Sequence, residues 1–301
     1  MCTAFDQVVN ISQWLSANAA DFSPQVCNKM LFLDGTLQVM FVGGPNQRAD
    51  YHINQGEEIF YQLKGDMCVR IMECGTSKDV HIREGEFFLL PAAIPHSPQR
   101  YENTMGLVLE RARRPGELDG LRYYCDLSNS AILWERWFTC KDLGSELKPL
   151  IAEYFASEEH VTRKPTSQIP PAPMPIDTET MVKAPFRLAP CFDAIAPGDW
   201  PKELAHQEFV TLLVTSESSA PTLPLDTNCW VWTWEGAFVI NQQHTLRAGE
   251  CVAVKTLTHW SVAASTGAAA EPLTRSKALI VYTSVSFDPS SPVAAASPQS
   301  S

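Results

Sequence analysis

No CxxC pair occurs in this sequence, no run of Lys or Arg offers a phosphate-binding stripe, and no stretch approaches the ~20 apolar residues of a membrane helix. The first absence argues against zinc knuckles and redox-active dithiols. The second speaks against nucleic acid as a partner, as does the acidic balance of 34 Asp and Glu against 23 Lys and Arg, a net charge of -11. The third predicts no membrane partner. The first residues, MCTAFDQVVNISQWL, lack a basic segment followed by an apolar core, so no secretory signal is expected. Nine scattered cysteines (positions 2, 27, 68, 74, 125, 140, 191, 229 and 251) fit reduced thiols, and together these absences predict a cytoplasmic protein. What the chain does have is 45% apolar residues over a length of 301, enough for a substantial core and for two domains of ordinary size.

Residues 6–18 read as a short amphipathic helix, with Val9, Ile11, Trp14 and Leu15 on its apolar side. From 30 to 111 the character changes. Short runs rich in Val, Ile, Phe and Tyr (LQVMFVG, EIFYQL, CVRIME, KDVHI, EFFLLP, GLVLERA) alternate with turn signals such as GGPN, KGD, CGTSKD and REGE. That rhythm indicates a β-sandwich or barrel rather than βαβ units. A second helix is expected over 144–157, where Leu147, Leu150, Ile151, Tyr154 and Phe155 share one face. Residues 163–190 hold seven prolines and read as an extended linker. Strand-like runs return over 191–287 (FVTLLVT, CWVWTW, AFVINQQ, CVAVKT, ALIVYTSVSF), and the tail 288–301 is expected to be disordered. The second half also echoes the first. Gly236 can be set against Gly65, and the RxGE of Arg247–Glu250 against that of Arg83–Glu86, which suggests an internal duplication. The expected fold is therefore mainly β: a first barrel over 1–162, the linker 163–190, a second barrel over 191–287, and a few short helices.

Two segments carry the chemistry, GGPNQRADYHINQGEEIFYQLKGD (43–66) and REGEFFLLPAAIPHSPQR (83–100). On a continuous strand His52 and Glu58 have the same parity, which selects Glu58 over Glu57 as the inward carboxylate and points Glu57 outward. Pro91 and Pro95 bracket a sharp turn, with His96 directly after it and Arg100 at the same parity four residues on. Two imidazoles and one carboxylate on an inner wall make a facial triad with open coordination positions, which suits non-heme Fe(II), although zinc or manganese would accept the same donors. Taken singly, such residues are usually solvated or structural; an inward Glu without a positive partner is harder to explain that way, because burying it is costly. His81, His160, His206, His244 and His259 fit no ligand pattern.

The spacing resembles the two cupin motifs. Glu58 precedes Gly65 by the motif's six residues, and Gly85, Pro91 and His96 take the second motif's places, whereas Asn54, Ala93 and Arg100 depart from it. A three-ligand site in a jelly-roll β-barrel is implied. The strings GGPNQRADYHINQGEEIFYQLKGDM, FFLLPAAIPHSPQR, GLVLERARRPGELDGLRYYC and ERWFTCKDLGSELKP resemble the 3-hydroxyanthranilate 3,4-dioxygenase family over residues 5–160, in its longer, monomeric, two-barrel eukaryotic form. The resemblance implies an Fe(II) enzyme that uses O2 to open the ring of 3-hydroxyanthranilate, giving 2-amino-3-carboxymuconate semialdehyde on the route to quinolinate and NAD. It implies His52, Glu58 and His96 as metal ligands, Arg48 and Arg100 as substrate-carboxylate arginines, and Glu110 as the acidic group beside the substrate. Cys125 stands alone where bacterial members carry paired cysteines, so no second, cysteine-held iron is expected. In the second barrel Cys229 takes the Glu58 place and Trp260 the His96 place. That barrel is expected to lack a metal and to act as a pseudo-dimer partner, with Trp230, Trp232 and Trp234 serving as packing. Two other readings remain open: a different metal-dependent cupin enzyme, such as a thiol dioxygenase or isomerase, and a non-catalytic ligand-binding cupin.

Overall fold

The structure, a computed structural model, describes residues 2–22, 27–33, 36–126, 131–141, 143–166, 169–199, 201–205, 208–216, 218, 227–262 and 275–283. The expected tail 288–301 and His206 lie outside the described residues. The chain divides into two compact units, one drawn from 21–29 and 40–186, the other from 1–20, 30–39 and 187–287. The expected boundary near 162 therefore differs from the observed one, since N-terminal segments cluster with the C-terminal half.

The unit spanning 40–186 is built from two antiparallel sheets. In one, the strands run in the order Ala131–Phe138, Asp119–Asp126, Tyr51–Ile53, His96–Arg100, Met67–Glu73, Thr76–Ile82. In the other, Glu58–Lys64 lies between Glu86–Leu90 and Met105–Arg111. The aromatic and β-branched residues that announced strands supply its core: Ile59, Phe60, Val69, Ile71, Phe87, Phe88 and Leu109 are all buried. The helix Leu143–Phe155 lays Leu147 and Tyr154 on the first sheet, where Tyr154 stacks on Tyr123 with centroids 3.4 Å apart. Phe155, expected on that packed face, is 54% exposed.

The proline-rich segment is extended, but it is not a free tether. Asp177 N donates to Ala93 O (3.0 Å), Val182 N donates to Glu73 Oε1 (2.7 Å), and Met174 and Val182 are buried. Regular structure also resumes earlier than expected, with a strand at Phe186–Arg187 and a helix at Leu188–Asp193.

In the other unit, Glu250–Val254, Cys229–Glu235, Lys277–Thr283 and Phe209–Thr215 form the centre of a six-stranded sheet, and His244–Arg247, Ala237–Ile240 and Trp260–Val262 form a smaller one. Their inward side chains, among them Val231, Phe238, Leu246, Val252 and Ile280, make one apolar cluster. The predicted helix 6–18 is shorter, Ile11–Ala17. Val9 and Asn10 pair instead with Cys251 and Glu250, and the Asn10 side chain caps the helix by accepting from Gln13 N. The echo between halves is visible in hydrogen bonds. Glu86 Oε2 accepts from Arg83 N and Glu250 Oε2 from Arg247 N, both at 2.8 Å. Gly85 N donates to Gln62 O and Gly249 N to Thr233 O, at 2.8 and 2.9 Å. Gly65 and Gly236 both take positive φ, 65° and 68°, at the turns that follow the paired strands.

Candidate metal centre

Strand pairing brings the three expected donors together. His52 and His96 are direct cross-strand partners, so their side chains emerge on the same face of one sheet. Glu58 begins a strand of the other sheet, where it pairs with Leu90 on one side and Glu110 on the other. All three side chains are buried, and their ligand atoms lie within 4.8 Å of one another. Glu58 Oε1 is 3.2 Å from His96 Nε2 and 3.8 Å from His52 Nδ1. Burial opposes ionisation of Glu58, yet His96 and His52 hold its pKa down at about 2. Burial likewise works against an imidazolium at His96, and Glu58 overrides it to raise that pKa.

The other ring nitrogens decide which atoms can face a cation. His52 Nε2 is hydrogen-bonded to Asp119 Oδ2 at 2.7 Å, and His96 Nδ1 to Ile94 O at 3.1 Å. Each ring thus has one nitrogen held by an acceptor, which leaves His52 Nδ1 and His96 Nε2 directed at Glu58. Metal-binding histidines are oriented in this way, by an acceptor on the far nitrogen. The donor set therefore fits a divalent metal. Asn54, at the place of a possible fourth ligand, instead donates from Nδ2 to Glu58 Oε1 at 2.8 Å.

A cavity opens beside this triad. Arg48, Arg100 and Glu110 line it together with the apolar side chains of Phe60, Pro98 and Val108, and Leu147 and Ile151 come from the helix. Arg100 is 2% exposed; among the described residues its Nη1 donates to Gln62 Oε1, at a long 3.4 Å, and its Nε has no hydrogen-bond partner. Burial pulls its pKa down to about 10, so it remains a cation at neutral pH. A buried cation this poorly satisfied is suited to an anionic ligand. Arg48 differs, because its Nε donates to Asp50 Oδ2 at 2.9 Å and a second nitrogen reaches the same oxygen. Glu110 is buried, which raises its pKa; Arg113 opposes that rise and pairs with its Oε2.

The 3-hydroxyanthranilic acid dioxygenase family matches residues 4–155, half of the chain and all of the triad. A Danio rerio protein named 3-hydroxyanthranilate 3,4-dioxygenase is 44% identical over 254 residues, covering 82% of this chain and 88% of its own. The chain belongs to this family. A Mus musculus protein of the same name is 42% identical over 252 residues, covering 82% of this chain and 85% of its own. As a member of this dioxygenase family, the chain is an enzyme. A solved cupin 2 conserved barrel domain protein from Leptotrichia buccalis aligns over 94% of the chain and 98% of its own length, with a TM-score of 0.52 and 9% identity, which shows the cupin fold alone.

At this site the structure corrects one sequence expectation and adds residues that the sequence did not reveal. Glu57, expected to point outward, is buried. The parity argument assumed a continuous strand, but the chain leaves strand after Ile53 and resumes at Glu58 in the other sheet. Asp119 and Arg113 were missed. They lie 67 and 61 residues beyond His52 in sequence, and no local pattern marks their approach. Asp50, two residues from Arg48, could have been read as its partner from parity. A second donor group, Cys68, Asp79 and His81, lies on the β-hairpin Met67–Glu73 and Thr76–Ile82. Its Asp79 already faces Arg70 at 3.4 Å, and burial pushes the Cys68 thiol up to about 11, which disfavours the thiolate a metal needs. In the other unit, Cys229 and Trp260 begin the strands that correspond to those of Glu58 and His96, and both are buried in apolar packing.

Proposed function

We propose that this chain is a 3-hydroxyanthranilate 3,4-dioxygenase that holds Fe(II) with His52, Glu58 and His96. It consumes O2 and yields 2-amino-3-carboxymuconate semialdehyde, a precursor of quinolinate and NAD. The observation that carries the reading is Arg100, a buried and under-satisfied guanidinium in the same cavity as the His-Glu-His triad. A small aromatic acid able to bind the metal through its hydroxyl and amine would bring its carboxylate to this cation. A substrate without an anionic group, a simple thiol among them, would leave this cation unpaired.

When bound, Fe(II) supplies the electron path between the aromatic ring and O2 that side chains lack. The chain's own residues do the rest. Arg100 grips the carboxylate through parallel N–H donors, which fixes the orientation of the ring as well as its charge. Arg48, tethered by Asp50, adds positive charge at the same cavity. Glu110 accepts the ring hydroxyl proton at Oε1 while Arg113 occupies Oε2. Phe60, Pro98 and Val108 supply apolar surface that excludes water from the ring. We further propose that the chain acts as a cytoplasmic monomer, which agrees with its nine free cysteines.

Iron content of protein purified without chelators, followed by anaerobic titration with 3-hydroxyanthranilate and then admission of O2, tests the assignment. Stoichiometric iron and the absorbance of a ring-cleaved product are expected. If no such product forms, the assigned reaction is wrong; if His52→Ala and Glu58→Ala retain full iron, the ligand set is wrong.

A further inference from the structure

Arg113 is largely buried, its side chain 11% exposed, and sits between two buried carboxylates, Glu110 of the cavity wall and Asp119 behind His52. Its Nε and Nη2 both reach Asp119, at 3.2 and 2.9 Å, and its Nη1 is held by Glu110 Oε2. Asp119 in turn holds His52 Nε2 at 2.7 Å. Glu110 lies directly opposite Glu58 in strand register and faces the cavity. One guanidinium therefore ends two paths, the first through Asp119 to a ligand imidazole and the second through Glu110 to the cavity wall.

The loop that carries Arg113 is itself held rigid. Arg111 forms a two-pronged pair with Glu117, at 2.6 and 2.7 Å, and both side chains are buried. The same Arg111 donates to Gln55 O at 3.0 Å, and Gln55 lies in the connection between His52 and Glu58. Glu117 also accepts from Arg114 N at 2.7 Å. Groups held on such a base keep their geometry better than groups on an unsupported loop.

We propose that Arg113 is a positioning residue that sets two orientations at once: the direction of the His52 Nδ1 lone pair, and the presentation of Glu110 Oε1 to substrate. This rests on the reading of His52, Glu58 and His96 as the metal site and of Glu110 as the proton acceptor. A guanidinium suits the task because its N–H groups point along fixed directions to two different carboxylates, whereas an ammonium is a compact point charge. Without Arg113, Asp119 and Glu110 would face each other as buried like charges. Asp119 would then be free to turn away from His52, and the imidazole would lose the acceptor that commits its Nδ1 to the metal.

The test uses the full chain with Arg113→Gln and Arg113→Lys. Metal-free protein is titrated with Co(II) against a competing chelator, and kcat and KM are measured after iron has been restored to saturation. Arg113→Gln is expected to weaken Co(II) binding by about 10–100-fold, the usual cost of losing a partner behind a metal ligand, and to lower kcat even when iron is saturating. Arg113→Lys should recover part of both losses. Double-mutant cycles should be non-additive with Asp119→Asn for Co(II) affinity, and with Glu110→Gln for kcat. A merely structural role predicts a lower Tm with unchanged affinity and kcat in the folded protein, and that result overturns the proposal, as do additive cycles. If Arg113→Gln does not fold, Arg113→Lys carries the test, and wild-type affinity and kcat in it would show that the directed fork is not needed. Wild-type protein that binds Co(II) but opens no aromatic ring overturns the assigned reaction instead, and leaves the affinity arm to judge Arg113.

Discussion

Gly106 stands beside Arg100 where no methyl group fits. A Cβ there would overlap Arg100 Nη1 and lie 2.7 Å from Gln62 Oε1. Both obstacles are the tips of side chains, so the fold can absorb Gly106→Ala by moving them, and what moves is the guanidinium. Restoring ordinary contact displaces it by about 1 Å, and a shift of that size in a positioning group costs on the order of 100-fold in rate. The same figure follows from hydrogen bonding. Losing one charge-assisted bond to the substrate carboxylate costs about 1.5–3 kcal/mol, or about 10- to 150-fold in kcat/KM. The assay compares kcat/KM for 3-hydroxyanthranilate with that for 2-aminophenol, which lacks the carboxylate. The deficit should be large with the acid and nearly absent with 2-aminophenol, while iron content and Tm stay close to wild type. Equal deficits on both compounds, or none on the acid, would refute the role given to Arg100.

Arg48→Met and Arg100→Met should both raise KM, with the larger effect at Arg100, because Asp50 already engages Arg48; steady-state kinetics that reverse this order would contradict it. Metal uptake should weaken as the solution is acidified, since His96 must be deprotonated to coordinate and Glu58 raises its pKa above the ordinary 6.5. Below that raised pKa the Co(II) affinity should fall by about tenfold per pH unit, and a flat profile between about pH 8 and about pH 6 would count against His96 as a ligand. In metal-free protein Glu58, depressed from 4.5 to about 2, contributes stability above its unfolded pKa that is lost as pH falls through the folded value, so Glu58→Gln should flatten acid unfolding followed by circular dichroism. Gly85→Ala meets open space at φ 79° and should cost about 1–2 kcal/mol of backbone strain, whereas Gly236→Ala also meets the Ser276 backbone at 2.9 Å and should cost more in urea unfolding; equal costs would argue against the contact.

The fold and the clustering of His52, Glu58 and His96 were largely legible in the sequence, for different reasons. Strand runs such as EIFYQL and EFFLL are dictated by local composition, and each forms the strand it announced. Glu58 was selected by parity along a strand that turns out to be broken after Ile53; the choice agrees with the observed cluster because Glu58 pairs with Leu90 and Glu110 at the first position of its own strand. Glu57 shows the limit of alternation, which assigns one face to solvent, whereas here both faces of that segment are covered. The groups that orient the site were not legible. Asp119 reaches His52 across neighbouring strands, and Arg113 reaches Asp119 past Glu117, a carboxylate nearer in sequence, because the loop, pinned by Arg111 and Glu117, delivers it there. Such pairings are set by tertiary geometry, and no spacing rule records them.

The proposed ligands are divided between layers, with His52 and His96 in one sheet and Glu58 in the other. A bound ion would thus act as a rivet through this unit. Because binding occurs only when the layers are in register, each metal-bound molecule resists their separation, by about 2.7 kcal/mol when free metal stands at about 100 times Kd. Amide exchange in Tyr51–Ile53, Glu58–Lys64 and His96–Arg100 should therefore slow together on metal addition, so that the centre sets how far the two layers breathe apart as well as what they bind.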